Sequence, residues 1–211
     1  MKIFNHVEII ERIKLHRIWI ESIGEQGEKL SVDEIDFRGF DLTGYPLNQA
    51  FLTECKFDGM NLCNMDMSSS LLCSSTFKNT NLVNADFYKA DLSYADFSDA
   101  NVQNVRFAKT DCSEAIFLKA NLENSKLISC SLYLTDFQNA NLKNVDISLS
   151  SFEETFLKGT TLTGIKGLEE AFIKSINIGT LENPMILLGE KAREWIQNKS
   201  LNIKSCSEGD I

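Results

Sequence analysis

A period of 20 residues, built from four units of five, is the feature that most constrains this chain. One phrase, Asn, an aliphatic residue, any residue, Asn, returns five times at this interval between residues 61 and 144. Within it every fifth residue is apolar and follows a small residue by two positions, as Phe77 follows Ser75. A period of five fits neither an amphipathic helix nor an alternating strand. It indicates a solenoid whose coil has four short faces.

Residues 20 apart define four columns, which we expect to point inward and which number the faces of the coil. Face 1 carries phenylalanine six times in succession, at Phe37, Phe57, Phe77, Phe97, Phe117 and Phe137. Face 2 runs Leu42, Leu62, Leu82, Val102, Leu122, Leu142, Leu162. Face 3 runs Leu47, Met67, Phe87, Phe107, Leu127, Ile147, and face 4 runs Leu52, Leu72, Leu92, Cys112, Leu132, Phe152. Rings stacked at a strand spacing of about 4.7–4.9 Å would suit offset packing.

The residue before each central one is usually Asp or Asn, which suits turns because short polar side chains bond nearby backbone. On face 2 we expect two ladders of mutually bonded neutral asparagines: Asn61, Asn81, Asn101, Asn121 and Asn141, and Asn64, Asn84, Asn104, Asn124 and Asn144. The first coils, 31–60, are less regular because Phe40, Tyr45 and Met60 occupy the small position. Two structures could accommodate these bulky residues: a wider coil near the N-terminal end, or a regular square coil that begins only near residue 50.

Units such as ADFYK, ADLSY, ANVQN and ANLKN resemble the A(D/N)LxX pattern of the pentapeptide-repeat family, and the resemblance covers residues 31–165 without an insertion. It implies an all-β solenoid, a right-handed quadrilateral parallel β-helix of about seven coils. Members often begin with a helix, and we expect residues 1–30 to form a capping helix and lead-in, since an open coil end exposes unpaired backbone.

Residues 166–211 are expected to form a C-terminal cap with a frayed tail. We predict a short helix over 166–175, a strand over 175–180 and a helix over 187–201. The resemblance gives an alternative role for residues 166–201, a homodimer contact, because several family members dimerise through C-terminal segments.

Charge is concentrated on the repeat. Residues 31–165 contain 18 acidic and 10 basic residues, so nearly all of the chain's net charge of −9 lies there. A nucleic-acid binder needs a basic face, so we predict no direct nucleic-acid binding. A convex rod filled with Phe and Leu, without a histidine or a phosphate-binding glycine loop, lacks a catalytic pocket. We therefore expect neither enzyme activity nor a cofactor.

None of the six cysteines has metal-motif spacing, and free thiols indicate a reducing compartment. The first 22 residues carry charges throughout, unlike a signal peptide, and no apolar stretch is long enough to span a membrane. These features predict a cytoplasmic protein without membrane association.

Two function classes are open. The first is a non-catalytic scaffold, an acidic rod that binds a protein partner, as in toxin immunity or target protection. The second, implied by the resemblance, is a DNA mimic that binds a type II topoisomerase, DNA gyrase or topoisomerase IV, and protects it from quinolones or peptide toxins. Two features count against the mimic: no loops project from the array, and Arg106, Lys109, Lys119 and Lys126 dilute the acids. For either partner we predict contact with Asp66, Asp86, Asp91, Asp96, Asp111, Asp136 and Asp146.

Overall fold

The computed structural model describes residues 5–201, in which a helix, a parallel coil, a small sheet and a second helix follow one another. The helices are α1 (His6–Glu21) and α2 (Gly189–Ser200). The strands are β1 (Ser31–Asp33), β2 (Phe51–Thr53), β3 (Ser131–Tyr133), β4 (Ser151–Glu153), β5 (Thr155–Phe156), β6 (Phe172–Ile173), β7 (Ser175–Asn177) and β8 (Ile186–Leu188). Between β2 and β3 the coil is joined by single parallel bridges between residues 20 apart, such as Asn81 with Asn101.

Each five-residue face is one extended residue followed by a tight turn. The Phe77 N–H donates to the Asp96 carbonyl of the next coil at 2.7 Å, and the Phe77 carbonyl accepts from the Thr80 N–H at 3.2 Å. Asn79, inside that turn, has a left-handed backbone with φ 56°. The same conformation recurs at every fifth residue from 64 to 154. Asn and Gly adopt it at the lowest cost, which explains the second asparagine of the repeated phrase.

The central and small residues of each unit fill the interior. The rings of the face 1 phenylalanines from Phe37 to Phe117 stack with successive centroids 4.8–4.9 Å apart, and Phe137 follows at 5.2 Å. Phe87 and Phe107 of face 3 meet these rings edge-on. Most hydroxyls at the small position donate to carbonyls of the preceding coil, as Thr80 Oγ1 does to Phe57 at 2.8 Å. The narrow core is therefore apolar, with its polar atoms paired.

Helix α1 lies across the N-terminal end of the coil and begins with a capping box between Asn5 and Glu8. Ile9 and Ile13 are buried on the first coil, and His16 is buried with both ring nitrogens bonded. His16 Nδ1 accepts from the Leu30 N–H at 3.1 Å, so Nε2 carries the proton and donates to a backbone carbonyl, that of residue 48, at 3.1 Å.

The first coil is opened on one side. Phe40, Tyr45 and Met60 are half-buried at positions where later coils hold small buried residues. Within the described chain, residues 40–45 and 60–65 share no backbone hydrogen bond, although their neighbours at 37 and 47 do pair with the second coil. Two shallow, open grooves of about 460 and 500 Å³ border this gap. Bulky side chains hold the first two coils apart on this side. This supports the alternative in which the regular square coil begins only near residue 50.

The helix predicted over 166–175 is wrong. Parallel pairing instead continues past residue 165: β6 pairs with β4 and β7 with β5, at an offset of 21 residues instead of 20. The extra residue lies near Gly167, whose φ is 74° and whose position allows no Cβ, because one would come within 2.1 Å of Ser148. Pairing with the preceding coil outweighs the weak helical pattern. Antiparallel β8 then follows, and α2 buries Ala192 and Ile196.

Neither α1 nor α2, the helices found within residues 5–201, is long and apolar enough to cross a membrane.

Candidate interaction surface

The seven aspartates predicted to bind a partner lie on three different faces. Asp91 and Asp111 are on face 4 and are paired across adjacent coils. The other five are divided between face 3 (Asp66, Asp86, Asp146) and face 1 (Asp96, Asp136). The structure thus forms two adjacent pairs, Asp91 with Asp111 on face 4 and Asp66 with Asp86 on face 3, and separates the remaining three aspartates from one another.

Each of these aspartates also supports its own turn. In every case Oδ1 accepts the backbone N–H two residues later, at 2.8–3.0 Å. Two are ion-paired as well, Asp86 with Arg106 at 3.0 Å and Asp96 with Lys78 at 2.9 Å. Burial opposes ionisation of Asp96, but hydrogen bonds from Ser98 and Lys78 outweigh it and lower the pKa of this carboxyl. An aspartate before a central residue therefore indicates a turn more directly than a binding site.

The charged residues of the coil are distributed unevenly among its four faces. Between residues 31 and 154, face 4 carries eight acidic residues and no lysine or arginine: Asp33, Glu34, Glu54, Asp91, Asp111, Glu114, Glu153 and Glu154. The other three faces together carry ten acidic and ten basic residues up to residue 165. The whole net charge of the coil therefore lies on face 4. Only Asp91 and Asp111 of these eight were predicted from the sequence, because the prediction rested on the position before the central residue. The 20-residue period places the other six on the same face.

The centre of face 4 combines carboxylates with exposed tyrosines. Ser93 Oγ and Ser113 Oγ each donate to the aspartate two residues earlier at 2.6 Å, which holds those two carboxylates in place. Tyr94 is 57% exposed, and its hydrogen bond to Glu114 raises the pKa of the phenol. Tyr133 is 40% exposed one column away. This surface presents fixed negative charge beside flat aromatic rings.

Basic side chains contact face 4 near both of its ends. Lys29 Nζ lies 3.9 Å from the ring centroid of Phe51 at the N-terminal end. Lys174 pairs with Glu153 at the C-terminal end, and this contact raises the pKa of the lysine. The other seven carboxylates of the face have no ion-pair partner among residues 5–201.

The predicted asparagine ladders on face 2 are interrupted. Four amide–amide hydrogen bonds join Asn61 to Asn81, Asn121 to Asn141, Asn64 to Asn84 and Asn124 to Asn144, at 2.9–3.2 Å. Asn101 and Asn104 make no such bond within the described chain, which divides each ladder into two rungs. The asparagines before the central residue, from Asn81 to Asn141, use Oδ1 to accept a backbone N–H of their own turn. The asparagines two residues after the central residue, from Asn64 to Asn144, have a left-handed backbone. Backbone demands, more than mutual bonding, account for both columns.

No thiol with a lowered pKa is found among the five cysteines of residues 5–201. Cys55, Cys112 and Cys130 are buried in the coil, and burial raises the pKa of the Cys55 thiol to about 12. A reactive cysteine needs the opposite shift. Cys63 and Cys73 are half-exposed on opposite faces and unbonded. No group of three or more His, Cys, Asp or Glu side chains in residues 5–201 is placed to hold a metal ion.

Comparison with protein families agrees with this geometry. The family model for pentapeptide repeats, in eight copies, matches segments 47–87, 72–107, 95–133, 103–144 and 135–164, together more than half of the chain. The chain belongs to the pentapeptide-repeat family. The fold prediction is thereby confirmed at the level of the family's right-handed β-helix. A search of curated proteins finds no significant match.

Solved structures of pentapeptide-repeat proteins are similar to the chain. One is a protein of the Arabidopsis thaliana thylakoid lumen, 26% identical with a TM-score of 0.49, covering 52% of this chain and 77% of that one. Another is Rfr23 of the cyanobacterium Cyanothece, with 22% identity, a TM-score of 0.38 and coverage of 59% and 91%. A third is QnrB1, a plasmid-mediated fluoroquinolone resistance protein, with 14% identity, a TM-score of 0.39 and coverage of 72% and 84%. All three TM-scores are below 0.5, so the family assignment rests on the repeats.

Proposed function

We propose that this pentapeptide-repeat protein is a non-catalytic scaffold that binds the basic surface of a protein partner through face 4. The observation that carries the proposal is the placement of all net charge of the coil on that one face, where seven carboxylates have no ion-pair partner among residues 5–201. A rigid stack of coils holds these groups at fixed spacing, which lowers the ordering cost of binding.

The coil itself does not require this charge. Like charges on adjacent strands are destabilising, and Asp91 and Asp111 are such a pair. Glu54, Glu114 and Glu154 occupy the left-handed position, where Gly or Asn would cost less. Because asparagine could accept the same turn hydrogen bonds without the repulsion, recognition is the better explanation for the charges.

The chemistry of the face favours a partner rich in arginine. Guanidinium groups bind carboxylates in two-pronged pairs and also stack on aromatic rings. Face 4 offers both kinds of contact side by side at Tyr94 and Glu114. Such a complex should form quickly and weaken as salt is added. The protein has no need of catalysis in this role, and its free thiols suit the cytoplasm.

The test compares two variants of equal charge. The first neutralises four residues of face 4: Glu54→Gln, Asp91→Asn, Asp111→Asn and Glu114→Gln. The control neutralises four acids elsewhere: Asp66→Asn, Asp99→Asn, Asp136→Asn and Asp146→Asn. Wild type and both variants are each immobilised and incubated with an extract of the source organism, and the retained proteins are identified by mass spectrometry.

The retained partner protein is then purified, and its affinity for wild type and for each variant is measured by calorimetry. We expect wild type and control to bind alike and the face 4 variant to bind at least about tenfold more weakly. A partner held equally by both variants would refute the proposal.

A type II topoisomerase is a second candidate, favoured by the length of the unpaired acidic face. Duplex DNA carries phosphates around its whole circumference, whereas faces 1, 2 and 3 of this rod together have no net charge. A DNA-like contact would therefore be one-sided and would use face 4. We expect wild type and the four-acid control to inhibit or protect gyrase supercoiling in a salt-sensitive way, and the face 4 variant to do neither. No effect of wild type at micromolar concentration would remove this candidate and leave the general scaffold.

A further inference from the structure

The middle of face 3 carries a cluster of basic residues. Over residues 87–129 this face has four exposed basic side chains and no acidic one: Lys89, Arg106, Lys109 and Lys126. Arg106 pairs with Asp86 at 3.0 Å. The three lysines have no ion-pair partner among residues 5–201. The cluster therefore presents positive charge that the coil does not neutralise.

The turns of the coil do not call for these lysines. Lys89 and Lys109 occupy the left-handed position, with φ 59° and 61°, where Gly or Asn would cost less. Lys126 is bridged to Arg106 on the adjacent coil, which places two like charges side by side. Asp146 is the neighbour of Lys126 on its other side, but the two form no ion pair. The positions of the lysines thus resemble those of the acids on face 4.

Face 3 meets face 4 at a corner, and the two walls carry opposite charge along it. Lys89 and Lys109 are the last residues of face 3 in two successive coils. Asp91 and Asp111 follow them on face 4, with one buried residue between at the corner. A column of positive charge therefore runs beside a column of negative charge. Within residues 5–201 no ion pair joins the two columns, so both are available to a partner.

We propose that the partner bound by face 4 also carries acidic side chains, and that these contact the basic cluster of face 3, so that the partner docks across the corner. Charge complementarity is the reason for this choice of partner surface. A surface with basic groups alone would be repelled by Lys89 and Lys109 along one edge of face 4. A surface with carboxylates beside its arginines would be attracted by both walls. This inference rests on the proposed function, because it names a second part of the same partner surface.

The two columns also give the contact a direction. A half-turn of the partner in the plane of the contact would place its acids against face 4 and its basic groups against face 3. Like charges brought together in this way suppress the wrong arrangement. Face 4 alone cannot distinguish the two orientations by the sign of its charge. The corner would therefore set the orientation in which the partner binds.

The experiment compares two variants of equal charge with the partner that wild type retains. The face 3 variant combines Lys89→Gln, Lys109→Gln and Lys126→Gln. The control neutralises three exposed lysines of face 1, the opposite wall: Lys56→Gln, Lys119→Gln and Lys158→Gln. Affinity is measured by calorimetry, and circular dichroism and thermal melting check that each variant retains the coil. We expect the control to bind like wild type and the face 3 variant to bind at least about tenfold more weakly.

The sign of the change separates this inference from its alternative. If the partner surface is basic throughout, neutralising the lysines of face 3 removes repulsion, and the affinity rises or stays equal. Either result would overturn the corner contact. A partner weakened by the face 4 variant but not by the face 3 variant would leave the proposed function standing and remove this inference alone. A partner held equally well by the face 4 variant would remove both.

Discussion

Faces 2 and 4 are opposite walls of one coil, with the same backbone and a similar buried apolar column each, yet their surfaces differ in charge. Face 2 places Asn before the central residue and Asn again at the left-handed position, as at Asn121 and Asn124. Face 4 places aspartate before the central residue at Asp91 and Asp111, and Glu, Ser, Tyr or Leu at the left-handed position. Face 2 shows what the backbone prefers. Face 4 departs from that preference with acidic side chains, and the proposed function rests on this difference.

The largest effect should come from removing the core that both faces share. Phe97→Ala deletes a fully buried ring that stacks 4.8 Å from both Phe77 and Phe117. We expect a loss of about 3–5 kcal/mol in the free energy of unfolding, measured by urea denaturation. Phe97→Leu keeps most of the volume and should cost about 1.5 kcal/mol or less. Equal losses in the two variants would show that the stacked column is not closely packed.

A smaller effect should come from the N-terminal end, where the two faces begin. His16→Ala leaves the Leu30 N–H and one buried carbonyl without their partner and should cost about 1–3 kcal/mol. The measurement is again the free energy of unfolding near neutral pH.

The same histidine predicts a pH dependence. Burial lowers the pKa of His16 below its usual 6.5, and the positive charge of Lys29 acts in the same direction. The folded state therefore favours the neutral ring. This stability is present above pH 6.5 and is lost as the pH falls through the lowered folded value. His16→Ala should show a flatter profile between neutral pH and pH 5. An identical slope in both proteins would exclude His16 as the cause.

Exchanging Asp and Asn between faces 4 and 2 tests whether the charge on face 4 lowers the stability of the coil. Asp111→Asn removes a like-charge contact with Asp91 and keeps the turn acceptor, so we expect a gain of about 0.5 kcal/mol in stability. Asn121→Asp on face 2 introduces one charge among neutral neighbours and should change stability by less. Thermal melting at low salt checks both. A loss of stability in Asp111→Asn would show that the carboxylates support the fold.

The smallest effect should be that of salt on melting temperature. Added salt screens repulsion between the exposed carboxylates of face 4 and should stabilise wild type slightly. The variant carrying Asp91→Asn and Asp111→Asn should gain less from the same addition. A larger gain in the variant would contradict the repulsion inferred on face 4.

The repeat was readable from sequence because the coil imposes one environment on every twentieth residue. Six phenylalanines in register predicted a stacked column, and the centroids of their rings lie 4.8–5.2 Å apart. The C-terminal segment had no such repetition. Leu168, Ala171 and Phe172 suggested a helix by spacing, but one extra residue near Gly167 lets the chain pair with the preceding coil instead. A single insertion shifts the register without altering local propensities, so sequence spacing did not reveal it.

The candidate surface was predicted less well than the fold. The sequence singled out aspartates before central residues, and their Oδ1 atoms prove to be bonded to their own turns. Glu54 and Glu114 were overlooked because no local motif distinguishes them. They belong together only through the vertical register of the coil.

By itself the sequence determined the 20-residue period, the buried columns and the family, because each of these is repeated at a fixed spacing along the chain. Only the tertiary structure decided which charges share a wall and where the coil opens near Phe40. Those properties depend on direction in space. A chain that turns four corners every 20 residues places sequence neighbours on different faces and distant residues on the same one.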